Sequence, residues 1–266
     1  MYHADAPPRG PSSRAGQAHA GLPAPLRRPP AYDLSYRDVF WAPRGYEDRC
    51  DRVALRALLP AFGDHLLDLG AGFGRLVDEY RAFPSVTLVD ASPEMVSAAR
   101  ERAAGDPRVS VICAEATRVP LPSASVDVVV CVRLLLHFPD PGPLLLEIAR
   151  VLRPGGCLVL EFANRRHALA IARYAAHRQA WSPFERGRFE YLPEHVSHHP
   201  ATVADQLAEA GLQPDAWRSV SLFRSAALKG LVGAGPLAAV EARLQAPLGG
   251  LLPGPSVHVR ARKDAS

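Results

Sequence analysis

Three glycines and one aspartate have the spacing of a nucleotide-binding site. Gly70, Gly72 and Gly74 stand at alternate positions directly after an apolar run, which is typical of a buried strand. Glycine lets the backbone turn sharply and leaves room for a ligand against the main chain. Asp90 ends the next apolar run, 20 residues after Gly70. A carboxylate at that place can accept two hydrogen bonds from a ribose diol, so these residues predict a nucleotide-like ligand.

His137 is the residue that could perform acid–base chemistry beside this predicted site. It follows the apolar run of residues 126–131. A histidine placed there could remove a proton from an acceptor that starts protonated, such as a phenol or an alcohol. It could equally position the acceptor or serve the fold alone. The sequence leaves these roles open.

Alternating strands and helices are expected to position these residues. The sequence predicts strands at 65–69, 86–90, 109–113, 126–131, 157–162, 217–223 and 256–262. It predicts a helix that ends at Leu152, a helix within 226–255, and helices at 46–59, 73–82, 93–104, 166–179 and 201–211. On the first helix we expect a buried face formed by Cys50, Val53, Ala54, Ala57 and Leu58. This alternation predicts an α/β domain whose ligand lies at the carboxyl ends of the strands.

The glycine spacing argues against a dinucleotide site. The dinucleotide fingerprint G-x-G-x-x-G needs its third glycine at the position that Arg75 occupies in this chain. The residues from Asp68 to Gly74 instead read D-x-G-x-G-x-G. This pattern resembles the first motif of class I S-adenosylmethionine-dependent methyltransferases.

Further motifs within residues 64–163 resemble the methyltransferase group that includes ubiquinone and menaquinone C-methyltransferases and many small-molecule enzymes. The matching pieces are Asp-Leu-Gly-Ala-Gly-Phe-Gly, Val-Asp-Ala-Ser-Pro-Glu-Met, Glu-Ala-x-x-x-Pro-Leu-Pro, Ser-Val-Asp-Val-Val, His-Phe-Pro-Asp-Pro and Val-Leu-Arg-Pro-Gly-Gly. Because these motifs occur in the family's order and spacing, they are far more specific than the glycines alone.

The resemblance implies a three-layer, Rossmann-like α/β fold. Its seven-stranded, mostly parallel sheet would have the order 3-2-1-4-5-7-6, with the last strand antiparallel. The implied cofactor is S-adenosylmethionine, with S-adenosylhomocysteine as product. The methionine moiety would lie against residues 70–74, the ribose on Asp90, and the adenine at Glu115 and Ala116, although the family more often has aspartate at position 115. The resemblance also assigns cofactor contacts to Asp68, Ala71, Ala91 and Arg133.

Length and composition favour one domain with extra segments. The chain has 266 residues, a formal net charge of +4 and a pI near 9.0. This mild positive charge permits an acidic substrate but does not favour nucleic acid as a partner. We expect a flexible proline-rich tail at 1–31 and a single methyltransferase domain at 32–263. The four cysteines form no C-x-x-C pair, which favours a reducing, cytoplasmic setting without a structural zinc site.

Three segments extend beyond the minimal fold. The lead-in at 32–46 is expected either to pack on the domain or to cap the ligand with its aromatic residues Tyr32, Tyr36, Phe40, Trp41 and Tyr46. The insert at 164–200 is either a solvated face or a cationic lid for an acidic substrate, built from Arg165, Arg166, Arg173, Arg178, Arg186 and Arg188. The apolar insert at 226–255 is expected to cover the substrate pocket, with membrane contact or a dimer face as alternatives.

Neither a metal nor a membrane span is predicted. Glu194, His195, His198 and His199 form a small cluster, but no helical phase brings three of them together. No stretch of about 18 uninterrupted apolar residues is present, so we expect no transmembrane helix. The sequence therefore predicts methyl transfer to an oxygen, nitrogen or carbon atom of a small molecule. An RNA or protein acceptor and a non-catalytic cofactor-binding relative are alternatives, and the oligomeric state stays open.

Overall fold

The computed structural model describes residues 35–187, 189–192 and 195–265. The predicted tail at 1–31, together with Tyr32, Arg188 and Glu194, lies outside these residues. The strands are β1 (His65–Leu69), β2 (Ser85–Asp90), β3 (Val109–Cys113), β4 (Val126–Cys131), β5 (Leu152–Ala163), β6 (Phe189–Leu192), β7 (His195–Ser197), β8 (Leu212–Val220) and β9 (Ser256–Lys263). The α-helices are α1 (Gly45–Leu58), α2 (Pro93–Arg102), α3 (Gly142–Val151), α4 (Ala168–Ala175), α5 (Pro200–Glu209), α6 (Ala226–Val232) and α7 (Ala234–Leu244).

Seven of the described strands form one sheet in the order β3-β2-β1-β4-β5-β9-β8, while β6 and β7 form a separate hairpin. When the two hairpin strands are left out of the count, the order reads 3-2-1-4-5-7-6, as predicted. β1 is parallel to β2 and β4, and β9 is antiparallel to both β5 and β8. The prediction of a mostly parallel, Rossmann-like sheet with a reversed last strand is confirmed.

Helices cover both faces of this sheet because its central strands are apolar on both sides. α3 and α5 bury residues such as Ile148 and Leu207 against one face, where Val129 of β4 also points. α1 buries Leu55 against the other face, where the next residue of β4, Val130, points. The result is the predicted three-layer arrangement, in which both faces of the central strands are removed from water.

The stretch after the glycines is not the α-helix predicted at 73–82. It forms tight turns followed by one 3₁₀ turn, Val77–Tyr80. The backbone N–H of Val77 donates to the carbonyl of Gly74, three residues earlier, at 3.1 Å. Gly74 has a φ of +73°, which lies outside the α-helical range, and the following Arg75 is buried. The prediction of an α-helix was wrong because the backbone turns at Gly74, and Arg75 is buried directly after this turn.

α1 agrees with the predicted helix within one residue at each end, and three of the five residues predicted to be buried, Cys50, Ala54 and Leu58, are buried. Val53 is half-buried and Ala57 is exposed, although both were predicted to be buried. Asp51 and Leu55 are buried in their place. A buried carboxylate needs partners of opposite charge. The partners of Asp51 are Arg75 and Arg133, which are distant in the chain.

The two inserts contain structure that the sequence analysis placed only in part. The predicted helix at 166–179 is shorter, since α4 spans Ala168–Ala175, and the β6–β7 hairpin that follows was not predicted. The predicted strand at 217–223 begins earlier, as β8 spans Leu212–Val220. The insert at 226–255 holds two helices, α6 and α7, where one was predicted.

Candidate functional site

A cavity of about 340 Å³ crosses the carboxyl ends of β3, β2, β1 and β4. Its size suits a small ligand, and it lies at the switch point where the strand order of the sheet reverses. It brings together eight predicted site residues, namely Gly70, Gly72, Asp90, Ala91, Glu115, Ala116, Arg133 and His137. Asp68 and Ala71 line a second cavity of about 30 Å³ behind the glycine turn. Gly74 lines neither of these two cavities.

The glycine turn lets the backbone itself form part of the cavity wall. Gly70 and Gly72 have φ values of +76° and +56°, a conformation that glycine adopts without strain. A Cβ on Gly70 would lie 2.9 Å from Cδ1 of Leu134, so no side chain fits there. A Cβ on Gly74 would lie 3.4 Å from Leu88 of β2. Gly74 therefore serves the packing of the turn on the sheet.

Asp90 lies at the end of β2 and locks the glycine turn in place. Its Oδ2 accepts the backbone N–H of Gly72 at 2.8 Å, and its Oδ1 accepts the backbone N–H of Ser92 at 2.9 Å. Burial raises the pKa of the Asp90 carboxyl above its usual range, although these backbone N–H groups partly offset the effect. Each carboxylate oxygen has a second lone pair, so Asp90 can still accept hydrogen bonds from a ligand.

Glu115 and Ala116 line the β3 side of the cavity. The backbone N–H of Ala114 donates to the carbonyl of Asp90 at 3.0 Å and holds this loop beside β2. The side chain of Glu115 is exposed, whereas Ala116 is half-buried. This side of the cavity therefore has a carboxylate at Glu115 and the main chain of Ala116 in its wall.

Asp68 is a buried carboxyl behind the glycine turn, at the end of β1. The hydroxyl of Tyr80 donates to its Oδ2 at 2.8 Å. Burial raises the pKa of Asp68 to about 7, although the Tyr80 hydrogen bond and the charge of Arg75 act in the opposite direction. The carboxyl of Asp68 therefore changes its charge state near neutral pH.

The aromatic lead-in supplies one wall of the site. The short π-helix Tyr36–Trp41 places Tyr36 in the lining of the main cavity. Trp41 is buried with Phe73 and Met95 in a small apolar cluster, against which Tyr36 also packs. Both alternatives from the sequence therefore apply, because Trp41 packs on the domain while Tyr36 caps the cavity.

Arg133 follows β4 and lines both cavities. Its φ is +63°, which is uncommon for a residue other than glycine, and its backbone N–H donates to Glu161 at 3.0 Å. Its guanidinium pairs with buried Asp51, Nη2 to Oδ2, at 3.4 Å. Arg75 pairs with the same oxygen at 3.1 Å and lies over the Trp41 ring at 3.8 Å. Neither Arg75 nor Asp51 was predicted from the sequence to belong to the site.

His137 lies on the β4 side of the cavity, in the helical turn Leu135–His137. The ring of His195, on β7, lies 5.0 Å from its ring, measured between centroids, at an angle of 63°. His198 is buried, with Nε2 at hydrogen-bond distance, 3.3 Å, from the carbonyl of Leu135. The hairpin is therefore attached to the turn that carries His137. Among the described residues, no group of three or more histidine, cysteine, aspartate or glutamate residues could hold a metal ion.

Arg165, which the sequence analysis considered for a cationic lid, is buried and holds a loop together. Its guanidinium donates to the carbonyls of Ser182 and Gly187 and pairs with Glu185 at 2.8 Å. Arg186, farther along the insert, pairs with Asp205 of α5. Both arginines are therefore paired within the protein, and their contacts indicate a structural role rather than that of a cationic lid.

The insert at 226–255 is attached to α1 by a buried polar group. The hydroxyl of Tyr46 hydrogen-bonds Glu241 of α7 and accepts the backbone N–H of Phe223. Glu241 also accepts the backbone N–H groups of Ser221 and Leu222, each at 2.8 Å. In the part of the chain that the structure describes, no helix has the length and apolar character needed to cross a membrane.

Comparison with known proteins identifies the family of this chain. Residues 67–160 match the family model described as a methyltransferase domain. A demethylmenaquinone methyltransferase of Clavibacter sepedonicus is 32% identical over 204 residues, which cover 72% of this chain and 83% of that protein. A ubiquinone biosynthesis O-methyltransferase of Xanthomonas campestris pv. campestris is 37% identical over 177 residues, which cover 62% of this chain and 68% of that protein.

A solved structure supports the fold. An S-adenosylmethionine-dependent methyltransferase from Thermotoga maritima aligns over 87% of this chain and 97% of its own length, with a TM-score of 0.59 and 21% identity. At that identity the likeness concerns the fold alone, whereas the two relatives above carry the family. The chain belongs to the class I S-adenosylmethionine-dependent methyltransferases.

Proposed function

We propose that this chain transfers the methyl group of S-adenosylmethionine to an oxygen, nitrogen or carbon atom of a small molecule. The observation that carries the proposal is one continuous cavity, which joins Asp90 and the glycine turn to His137. An adenosyl ligand on the first two groups would share an enclosed space with an acceptor beside the third.

The residues that line the cavity fit the cofactor in three places. Gly70 lines the cavity without a side chain, so the methionine moiety could lie against the main chain there. The second lone pairs of the Asp90 carboxylate suit the two hydroxyls of a ribose. Glu115 would accept from the exocyclic amine of adenine, and the backbone N–H of Ala116 would face a ring nitrogen.

Arg133 is suited to the carboxylate of the methionine moiety. Its Nε is buried and has no hydrogen-bond partner among the described residues. A guanidinium N–H in this condition favours an anionic acceptor, because the desolvation of the donor is then compensated. Asp68, behind the same turn, carries a carboxyl that suits the cationic end of the methionine moiety.

On the β4 side, His137 and His195 are the polar side chains proposed to face the acceptor. When bound, S-adenosylmethionine supplies an activated methyl group and its leaving group, so the protein has to hold the acceptor in line. An imidazole at His137 would accept the proton of a phenol or alcohol, and would only orient an acceptor that starts without one. Leu134 and Phe138 line this side as well and favour an apolar ring beside the polar group.

The acceptor class is proposed from the relatives and from this lining. The two relatives reported above carry names from menaquinone and ubiquinone biosynthesis. An aromatic, quinone-related acceptor with an ionisable oxygen or an activated ring carbon suits two imidazoles beside apolar side chains. We further propose that residues 32–263 form a single domain, in which the insert at 164–200 shapes the acceptor side because it places His195 beside His137.

Transfer of a labelled methyl group into fractionated metabolites tests the proposal. Label in a small-molecule fraction supports it, and label that stays with RNA or protein, and that RNase or protease releases, supports the macromolecular alternative. Calorimetry with S-adenosylmethionine, S-adenosylhomocysteine and NAD is the companion measurement. Binding of the sulfonium cofactor without any transfer in any fraction would favour the non-catalytic alternative.

A further inference from the structure

Asp51 stands between two arginines behind the glycine turn. It lies in the second turn of α1 and its side chain is fully buried. Its Oδ2 accepts from Nη2 of Arg75 at 3.1 Å and from Nη2 of Arg133 at 3.4 Å. One carboxylate oxygen thus fixes two guanidinium groups that come from the ends of β1 and β4.

The other oxygen of Asp51 faces no arginine. Oδ1 lies 3.9 Å from Nε2 of His258 on β9, and neither of these atoms has a hydrogen-bond partner among the described residues. Burial lowers the pKa of His258, although the nearby charges of Asp51 and Glu161 act against this, so the imidazole is neutral at neutral pH. The negative charge of Asp51 is therefore balanced by Arg75 and Arg133.

Burial by itself would raise the pKa of Asp51, but the charges of Arg133 and Arg75 bring it below its usual value. The carboxyl is therefore ionised. An ionised group in a fully buried position is costly unless its partners are well placed, and an apolar residue of similar size often gives equal or greater stability. Stability alone therefore gives a weak reason for an aspartate here.

The two arginines differ in how firmly the rest of the chain holds them. Arg75 also pairs with Asp48 and lies over Trp41, so it is fixed on three sides. The Arg133 guanidinium has Asp51 as its partner, and its centre lies 5.6 Å from the Trp41 ring centroid. Its buried Nε keeps an unused donor. Removal of the Asp51 charge would therefore affect the orientation of Arg133 most.

We propose that Asp51 is a positioning residue that orients the Arg133 guanidinium, so that its unused N–H meets the carboxylate of the cofactor's methionine moiety. The inference rests on the proposed function, which places that carboxylate at Arg133. Asp51 does not touch the ligand and acts through the arginine. Its effect is therefore confined to ligands that carry the amino-acid group.

Two ligands separate this role from a merely structural one. S-adenosylhomocysteine has the methionine-derived carboxylate, whereas 5′-methylthioadenosine keeps the adenosine and the sulfur but lacks the amino acid. In the Asp51→Asn variant, calorimetry should show S-adenosylhomocysteine affinity reduced on the order of tenfold, as for other residues that orient a ligand-binding group. The affinity for 5′-methylthioadenosine should stay unchanged.

Asp215→Asn is the matched control. Asp215, on β8, also lies between two arginines, with Oδ1 2.6 Å from Nε of Arg260 and Oδ2 2.9 Å from Nε of Arg262. Arg262 pairs in the sheet with Cys157, at the amino end of the part of β5 that pairs with β9. Asp215 and its two arginines therefore lie away from the cavity, which is at the carboxyl ends of the strands. The control variant should bind both ligands as the wild type does.

The outcomes distinguish the two proposals. Suppose that the wild-type protein binds S-adenosylhomocysteine. If Asp51→Asn then lowers the affinity for both ligands equally, or for neither, the positioning role is overturned and the proposed function still stands. Wild-type protein that binds neither ligand overturns the proposed function and this inference with it. If Asp51→Asn does not fold, Asp51→Glu replaces it, because it keeps the charge and shifts it by one methylene. Selective loss of S-adenosylhomocysteine then supports the role, and unchanged affinity overturns it.

Discussion

Replacement of Asp68 by asparagine should stabilise the ligand-free protein at alkaline pH but much less at acidic pH. Asp68 is 3% exposed, and burial raises the pKa of its carboxyl from 3.8 to about 7, even though Tyr80 and Arg75 oppose this. When the folded-state pKa of a carboxyl is raised, the folded protein holds its proton longer than the unfolded chain does. The free energy of unfolding then falls as the pH rises from the unfolded to the folded pKa.

The size of the effect follows from these two pKa values. Between pH 5 and pH 8 the ionisation of Asp68 should lower the free energy of unfolding of the wild type by about 3 kcal/mol. Asparagine does not titrate, and its amide oxygen can still accept from the Tyr80 hydroxyl, which lies 2.8 Å from Oδ2. The difference in unfolding free energy, variant minus wild type, should therefore grow by this amount across the interval.

Urea denaturation followed by circular dichroism at several pH values measures this difference. Asp127→Asn is the control, because Asp127 accepts backbone N–H groups of Asp64 and His65 and pairs with Arg153. Although burial acts in the other direction, these partners lower the pKa of Asp127. The stability that they contribute is complete above the unfolded pKa, so the deficit of the control variant should be constant from pH 5 to pH 8. A difference for Asp68→Asn that is equally flat would refute the reasoning.

Three further changes test the site. Asp90→Ala should weaken the binding of S-adenosylmethionine by a factor of about 150 or more, because two hydrogen bonds to a charged acceptor contribute about 1.5–3 kcal/mol each. Calorimetry checks this, and unchanged affinity would contradict the ribose role. Gly70→Ala should abolish cofactor binding, because its Cβ would lie 2.9 Å from Leu134. Gly105→Ala is the control, because Gly105 also has a positive φ, +87°, but has open space around it. This control should bind the cofactor normally and lose about 1 kcal/mol of stability in a thermal melt. His137→Ala should lower kcat by about 10²–10⁴ and leave cofactor affinity unchanged if the residue is the base. Undiminished turnover over the whole pH–rate profile would dismiss that role.

The parts of the site that lie close together in sequence could be predicted from it. The D-x-G-x-G-x-G turn and Asp90 are each set by a strand end and a turn, so spacing alone shows where they must meet. The structure confirms that the two parts lie together, because the backbone N–H of Gly72 donates to Oδ2 of Asp90 at 2.8 Å. Glu115 and Ala116 came from the resemblance instead, and the structure places them after β3, which pairs with β2 in parallel and ends beside it.

The group behind the glycine turn could not be predicted in this way. Asp51, Arg75, Arg133 and His258 come from four separate elements, and the first and last are 207 residues apart in the chain. On a helix, hydrophobic periodicity assigns a charged residue such as Asp51 to the solvent side. Only the tertiary contacts show that arginines from the segments after β1 and β4 neutralise it. The same contacts explain why the buried face of α1 includes Asp51, which was not predicted.

The site concentrates the local features that oppose stability. Arg133 has a φ of +63° and a buried Nε without a hydrogen-bond partner among the described residues, and Asp68 has a pKa raised to about 7 because it is buried. A residue held in such a conformation, or a carboxyl held in such a place, persists only where the surrounding structure over-determines it. The unsatisfied Nε of Arg133 and the buried carboxyl of Asp68 would each be relieved by a part of the proposed cofactor, since a carboxylate satisfies the first and a cation favours the ionised form of the second. The strain therefore coincides with the predicted contacts, and the ligand-free protein should gain more stability from the cofactor than contact area alone would give.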